Sequence, residues 1–505
     1  MNLVKNVKMY ILLFSFSLLS IIILVGWYYE RNSCMGIPLI STSKLDSYTE
    51  DLDVNIMDIT FNGQMVAADL IRDTVYISQP VDLINHSTEL QGKLDINNHK
   101  QKLYFLNNIQ LQELKQTVNS GDYLTLIVVE DKSFSSIRVA ISTLPVLSLN
   151  GQTSDEMTEN GFPVYKGNLT MFAGWDPGKG KMTVADYSAE WHVRGGKSAK
   201  LSKKPQKLTL KKDNGDNLNA DLLGMGSDDD WILNSMNLDD TKLREKSALD
   251  VWNNYIRDSL NDYPMSVAQY VEVVVNGEYQ GLYLLQRRID AKYLQLDKKH
   301  DIIFKGRQVW VANNLSEGYE IVYSPYDDVQ TYNIFQEYLH AINESNYVNV
   351  NIFMQFLSAI DNEGYKNMFY VLKQEESGAY KLYLVPWDTD VSMGGIPSAG
   401  FINFYDYDVS MAQNSRRMDY YNMLLEYPDL DEKMAARWHE LSGTVFGVGS
   451  IFEEILDSNK QLIMDSGAFT RDNQHWGYIY GGRDAIDNLF KWNKEKTEQL
   501  DEYWK

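Results

Sequence analysis

Hydrophobic and polar residues follow different rhythms along this chain, and each rhythm predicts a different kind of element. Met9 to Tyr29 shows no alternation: the run carries no charge and is mostly Leu, Ile, Phe, Val and Ser. That is about the length of a membrane-spanning helix. Ile37 to Ser47 reads as a polar spacer. From Asp53 to Ser142 the pattern turns to short alternating runs separated by turn residues. They include Val54 to Ile59, Thr74 to Ile77, Lys102 to Leu106, Tyr123 to Val129 and Ser136 to Ile141. Period two with β-branched content predicts a small antiparallel, sandwich-like β domain. From Thr143 strands come first and helices later, the order of an α+β domain. Within it, Asn276-Gly277-Glu278 sits between two alternating runs, a strong hairpin signal. Val350, Phe353, Met354, Leu357 and Ile360 recur at helical spacing. The Asp361-Asn362-Glu363-Gly364 cluster stops that helix. Two strands follow, Asn367 to Leu372 and Tyr380 to Val385, and the second runs into Trp387-Asp388-Thr389-Asp390.

The pattern divides the chain into three parts: 1–35, a cytoplasmic tail and membrane anchor; 48–142, the β domain; and 143–505, the larger domain. Lys5 and Lys8 precede the apolar run, while Glu30 and Arg31 follow it. The positive-inside bias then predicts a single-pass membrane protein with its C-terminal domains extracytoplasmic, and an exported chain with one cysteine suits a bacterial cell membrane. An uncleaved anchor fits better than a cleaved signal peptide, whose apolar core is normally shorter.

Composition narrows the function classes. The net charge of -22 argues against nucleic acid as a partner, because a sequence-independent binder needs a basic surface. The single cysteine, Cys34, excludes intrachain disulfides and cysteine-based zinc sites.

Two features carry candidate chemistry. At the end of the last strand, Asp388 and Asp390 lie two positions apart, so on a strand they point the same way and converge. Two such carboxylates repel unless a cation or a proton lies between them. Mg2+ takes hard oxygen ligands of this kind when it also holds phosphates. Upstream stand Asp361 and Asn367, and a phosphoryl-transfer site needs an Asp beside the attacking hydroxyl with an Asn and a second Asp on the metal. The second feature is a basic strip in an otherwise acidic chain, Arg194-Gly195-Gly196-Lys197-Ser198 through Lys203-Lys204-Pro205 to Lys212. It suits phosphate or a carboxylate-rich ligand. It is not a Walker-A loop, because Trp191 stands where the first Gly belongs.

Taken in order, these motifs resemble the CotH family, atypical kinases related to spore coat protein H. The resemblance covers about residues 143–505. It rests on Leu144-Pro145-Val146, Arg194 to Ser198, Lys203-Lys204-Pro205, Asp230-Trp231-Ile232-Leu233, Leu243-Arg244, Asn276 to Tyr283, Ile303 to Gly306, the Asp361, Asn367 and Pro386 to Asp390 series, and Lys491-Trp492 to Leu500-Asp501. It implies an atypical protein-kinase-like fold that uses ATP and Mg2+, with Mn2+ as a substitute, to phosphorylate Ser or Thr of a Ser/Thr-rich surface or coat protein. Carried over by residue, Asp388 is the main metal ligand and Asp361 the catalytic acid. Asn367 and Asp390 assist the metal, while Arg194, Lys204, Lys207 and Arg244 steady the phosphates. The chain departs from the pattern at Arg287, where an acid is usual, and at Glu245, where Asn is frequent. Those departures leave a second reading open: a non-catalytic surface protein that uses the same fold to bind proteins or wall glycans.

Overall fold

The computed structural model describes residues 33–79, 90, 92–176, 181–307, 315–362, 366–395, 429–477 and 484–505. At its centre is a closed barrel of seven strands. In spatial order they are Val146–Met157, Pro163–Asp176, Lys181–Val193, Gln206–Lys211, Asp230–Asn234, Glu278–Arg287 and Ala268–Val275. Neighbours are antiparallel except at the seam, where Val146 to Leu149 run parallel to Glu272 to Val275 and close the barrel. Period two is visible in its filling. Leu147 and Leu149, Leu208 and Leu210, Trp231 and Leu233, Val271 and Val273, and Tyr283 and Leu285 all point into one buried cluster. The Asn276-Gly277 turn has both residues at positive φ, +51° and +73°, as a two-residue hairpin requires.

A second sheet stands beside the barrel, ordered Tyr319–Tyr323, Ile302–Gly306, Met368–Gln374 and Tyr380–Pro386, antiparallel throughout. Ile302, Phe304, Tyr370, Leu372, Leu382 and Leu384 face the helical layer, which includes Glu344–Leu357 and Asp484–Tyr503. Ile303, Phe369, Val371, Val385 and Trp387 face the other way, onto Ile232 of the barrel and Ile289, Leu294 and Leu296. Both faces are covered, so the sheet's ends, not its faces, are left for a site.

The N-terminal part differs from the antiparallel sandwich expected of it. It is an eight-stranded mixed sheet with a separate three-stranded one. Ser133–Ser142 runs parallel to Thr74–Ser78, and Ile37–Ile40 runs parallel to Lys102–Leu106. The start of the expected polar spacer, Ile37–Ile40, is therefore a strand with Ile37 and Ile40 buried, and Thr42–Leu45 is a short helix. Residues 56–58 form a 3-10 turn inside the run expected to be a strand. Its core is continuous with the barrel: Val146, Phe172, Val274 and Tyr279 pack among its own residues. Arg471 adds a polar tie, donating to both oxygens of Glu272 and to the carbonyl of Ile141.

Two expectations are thereby corrected. The architecture is dominated by β-structure around a closed barrel, rather than a membrane helix, a sandwich and an α+β unit. Among the described residues no helix is long and apolar enough to cross a membrane. The expected span Met9 to Tyr29 lies outside those residues, so neither single-pass anchoring nor a membrane partner is carried further.

Candidate active site

The expected metal turn follows directly from the strand Tyr380–Pro386. Register places Lys305 opposite Phe369 and Met368 opposite Pro386, so Lys305, Asn367 and Asp388 share one end of the sheet. The turn does not continue the strand. Asp388 has φ +59° and Asn367 has φ +53°, left-handed values that Asn and Asp tolerate better than most residues. A backbone tie holds the two segments together, with Trp387 N–H donating to Asn367 O at 3.0 Å. Asn362 braces both, donating to Asn367 O at 2.9 Å and Trp387 O at 2.7 Å.

Asp361 lies in the 3-10 turn Ile360–Asn362, just past the helix Glu344–Leu357. Asn367 donates its side-chain N–H to Asp361 Oδ2 at 3.1 Å. Lys366 donates to Asp361 Oδ1. Asp361, Asp388 and Asn367 are thus brought together from separate segments. Asp390 joins them electrostatically through the turn, not through the strand alternation expected for it.

The charges around Asp388 come from elements far apart in sequence. Burial pushes its carboxyl up, the cations Lys305 and Arg194 pull it down, Asp361 pushes it up again and Lys366 pulls it down. The net direction is upward. Asp390 is raised well above the usual range, first by burial and then by Asp388, Glu245 and Asp239. Conversely, burial lowers Arg194 and Lys305, and Asp388 opposes the fall in both. Lys305 also lies 5.6 Å from the Phe369 ring and 5.7 Å from the Trp387 ring. Arg288, half-buried and paired with Asp230 at 3.0 Å, adds to the positive field on Arg194 and Lys305.

Of the four residues expected to steady phosphates, only Arg194 faces Asp388. Lys204 donates to Ala199 O at 2.9 Å, within its own loop. Lys207 pairs with Asp230 at 3.0 Å on the barrel's outer face. Arg244 is buried behind the turn, bonded to Asp239 and to Ser392 O. Arg287 is not at the site either. It continues the barrel-interior row of Tyr283 and Leu285 and ends on Asp228 Oδ2 at 2.7 Å. Its neighbour Gln286, on the opposite face, is the one that reaches Glu245.

Sequence reasoning did not single out Lys305, Arg288 or Glu245 as site residues. Lys305 enters only as part of the Ile303 to Gly306 motif, with no role assigned to it, and Glu245 only as a departure from the family pattern. Glu245 is buried beneath the turn, accepting from Thr389, and burial followed by Asp388 pushes its carboxyl up to about 7.

Among the described residues no three His, Cys, Asp or Glu side chains form a ready metal cluster. The donors that do gather, carboxylates of Asp388 and Asp390 and the Asn367 side chain, are oxygen donors suited to a hard divalent cation. The upward push on both carboxylates is what such a cation relieves.

A family model for CotH kinase proteins matches residues 191–504, more than half of the chain. The chain belongs to the CotH kinase family. The match spans Arg194, Glu245, Lys305, Asp361, Asn367 and Asp388, so the whole constellation lies inside the CotH region. The N-terminal mixed sheet lies outside it. No curated protein sequence matches the chain.

Proposed function

We propose that this CotH kinase-like protein is a phosphotransferase that moves the γ-phosphoryl group of ATP to a Ser or Thr hydroxyl of a protein. The observation that carries the reading is the position of Asp388: one carboxylate within the field of two cations, Lys305 and Arg194, and of a second acid, Asp361. That is the charge layout of a site that must hold a polyanion, a cation and a hydroxyl together.

Asp388, with Asn367 and Asp390, would hold Mg2+ or Mn2+. When bound, the ion neutralises phosphate charge and so eases attack on phosphorus. Lys305 and Arg194, with Arg288 nearby, orient the phosphate oxygens. Asp361 accepts the proton of the incoming hydroxyl as its oxygen bonds to the γ-phosphorus and the bond to the β-phosphate oxygen breaks, leaving ADP. Lys366 and Asn367 keep the Asp361 carboxylate oriented for that task. Trp387 and Phe369 cover Lys305 on one side and limit its access to water.

The Asp361–Lys366 ion pair also favours a second reading, in which the fold binds a partner without catalysis, because one oxygen of the acid is already taken by a cation of the same chain. Incubation of the full chain with γ-labelled ATP, Mg2+ or Mn2+ and a Ser-rich protein separates the two. Label transfer by the wild type but not by Asp361→Ala supports the phosphotransferase. No transfer by either supports the binding module.

A further inference from the structure

We infer that Glu245 is a positioning residue, which holds the Asp388-Thr389-Asp390 turn in its metal-binding shape by gripping Thr389. Asp388 at φ +59° is in a conformation that costs a non-glycine residue about 1 kcal/mol or more. Asp tolerates that region better than most residues, and the bonds to the residue that follows hold it there. Thr389 is fully buried between the two carboxylates, and its N–H and hydroxyl both need acceptors. One oxygen serves both: Glu245 Oε2 accepts Thr389 N–H at 2.6 Å and Thr389 Oγ1–H at 2.8 Å. Its other oxygen accepts Gln286 Nε2 at 3.2 Å, from a barrel strand.

The grip has a second jaw on the same helical turn. Glu245 lies in the first turn of the helix Arg244–Val251, where the helix dipole favours a carboxylate. Its neighbour Arg244 donates Nε to Ser392 O at 2.9 Å, and Ser392 Oγ donates to Thr389 O at 2.6 Å. Asp239 anchors Arg244 in turn, accepting its backbone N–H at 3.0 Å. One helix start therefore fixes the backbone from 389 to 392 at both ends. It also ties that backbone to the barrel strand leading to Arg288. The carboxylate pair and the phosphate-facing cations are held in one frame.

The metal consequence rests on the phosphotransferase reading, whereas the grip itself does not, so two readouts are needed. The first is hydrogen exchange of the Thr389 amide in the full chain without metal, with Met368–Gln374 as an internal control of global stability. The second is Mn2+ affinity, measured by isothermal titration. In Glu245→Ala the Thr389 amide should exchange about tenfold faster or more. Mn2+ affinity should fall about 10- to 100-fold, the usual cost of losing an outer-sphere partner. Glu245→Gln keeps an acceptor oxygen and should recover most of both. Thr389→Val, which loses only the hydroxyl bond, should fall between. Unchanged Thr389 exchange and unchanged Mn2+ affinity in Glu245→Ala overturn the inference, as does loss in Glu245→Gln equal to that in Glu245→Ala. Faster Thr389 exchange in a protein whose wild type binds no Mn2+ upholds the grip and sinks the phosphotransferase reading instead.

Discussion

Asn367 donates to Asp361 Oδ2 at 3.1 Å, while Lys366 occupies the other oxygen of the same carboxylate. Two consecutive residues thus orient one acid, and Asn367 keeps its side-chain oxygen for another partner. The arrangement gives Asp361 a fixed direction without burying it.

If Asp361 takes the hydroxyl proton, its loss should slow turnover and leave nucleotide binding nearly intact. Asp361→Asn should lower kcat by about 10²- to 10⁴-fold with little change in KM for ATP. Steady-state kinetics on the purified full chain check this.

Lys305 should behave oppositely. It faces Asp388 and touches no hydroxyl acceptor in the scheme, so Lys305→Met should weaken ATP binding rather than chemistry. Loss of one charge-assisted contact is worth about 2 kcal/mol, or about 30-fold in Kd. By contrast, Lys204→Met and Lys207→Met should change Kd only slightly, because those lysines are turned to Ala199 and Asp230. Isothermal titration of the three variants with Mg·ATP measures the difference.

How much of this was legible beforehand follows from how local each signal is. The Asn276-Gly277 hairpin, the helix ending before Asp361 and the hairpin leading to Asp388 were all readable, because period and turn chemistry are short-range. The barrel closure was not: it depends on Val146 to Leu149 lying beside Glu272 to Val275, and no periodicity reports a parallel seam. The mixed N-terminal sheet was missed for the same reason. Arg287 looked like a damaged site residue only because its strand face was unknown; one position of alternation sends it to Asp228 and sends Gln286 to Glu245. Glu245 itself meets Thr389 across 144 positions of sequence.

Arg287 instead predicts an acid sensitivity. Burial alone raises the Asp228 carboxyl, but bonds from Arg287 and Lys292 outweigh it and hold the group below its ordinary value. The folded value lies under the unfolded one of about 3.9, so the stabilisation is fully present above that pH. It is lost as pH falls below about 4. Urea midpoints should therefore drop in that window, and less steeply in Asp228→Asn. Arg287→Ala should cost about 3–5 kcal/mol at neutral pH by leaving Asp228 buried and underpaired.

A second buried pair holds the basic loop to the C-terminal helices. Lys203 Nζ lies 2.6 Å from Asp472 Oδ1, and both side chains are almost wholly buried. Lys203→Met should destabilise by about 3–5 kcal/mol. Gly281, at φ +95°, leaves no room for a Cβ, which would lie 2.1 Å from Asp472 Oδ1. Gly281→Ala should therefore also lower Tm, and combining it with Lys203→Met should cost less than the sum. Thermal melts of the two single variants and the double variant test the coupling.

The most direct test of the central claim is calorimetric titration of ATP into the full chain and into Asp388→Ala, each with and without Mg2+. Binding by the wild type that needs the metal and disappears in Asp388→Ala is the predicted result. Equal binding by the two proteins, or binding indifferent to Mg2+, would contradict the assignment of Asp388 as the residue that holds the nucleotide's cation.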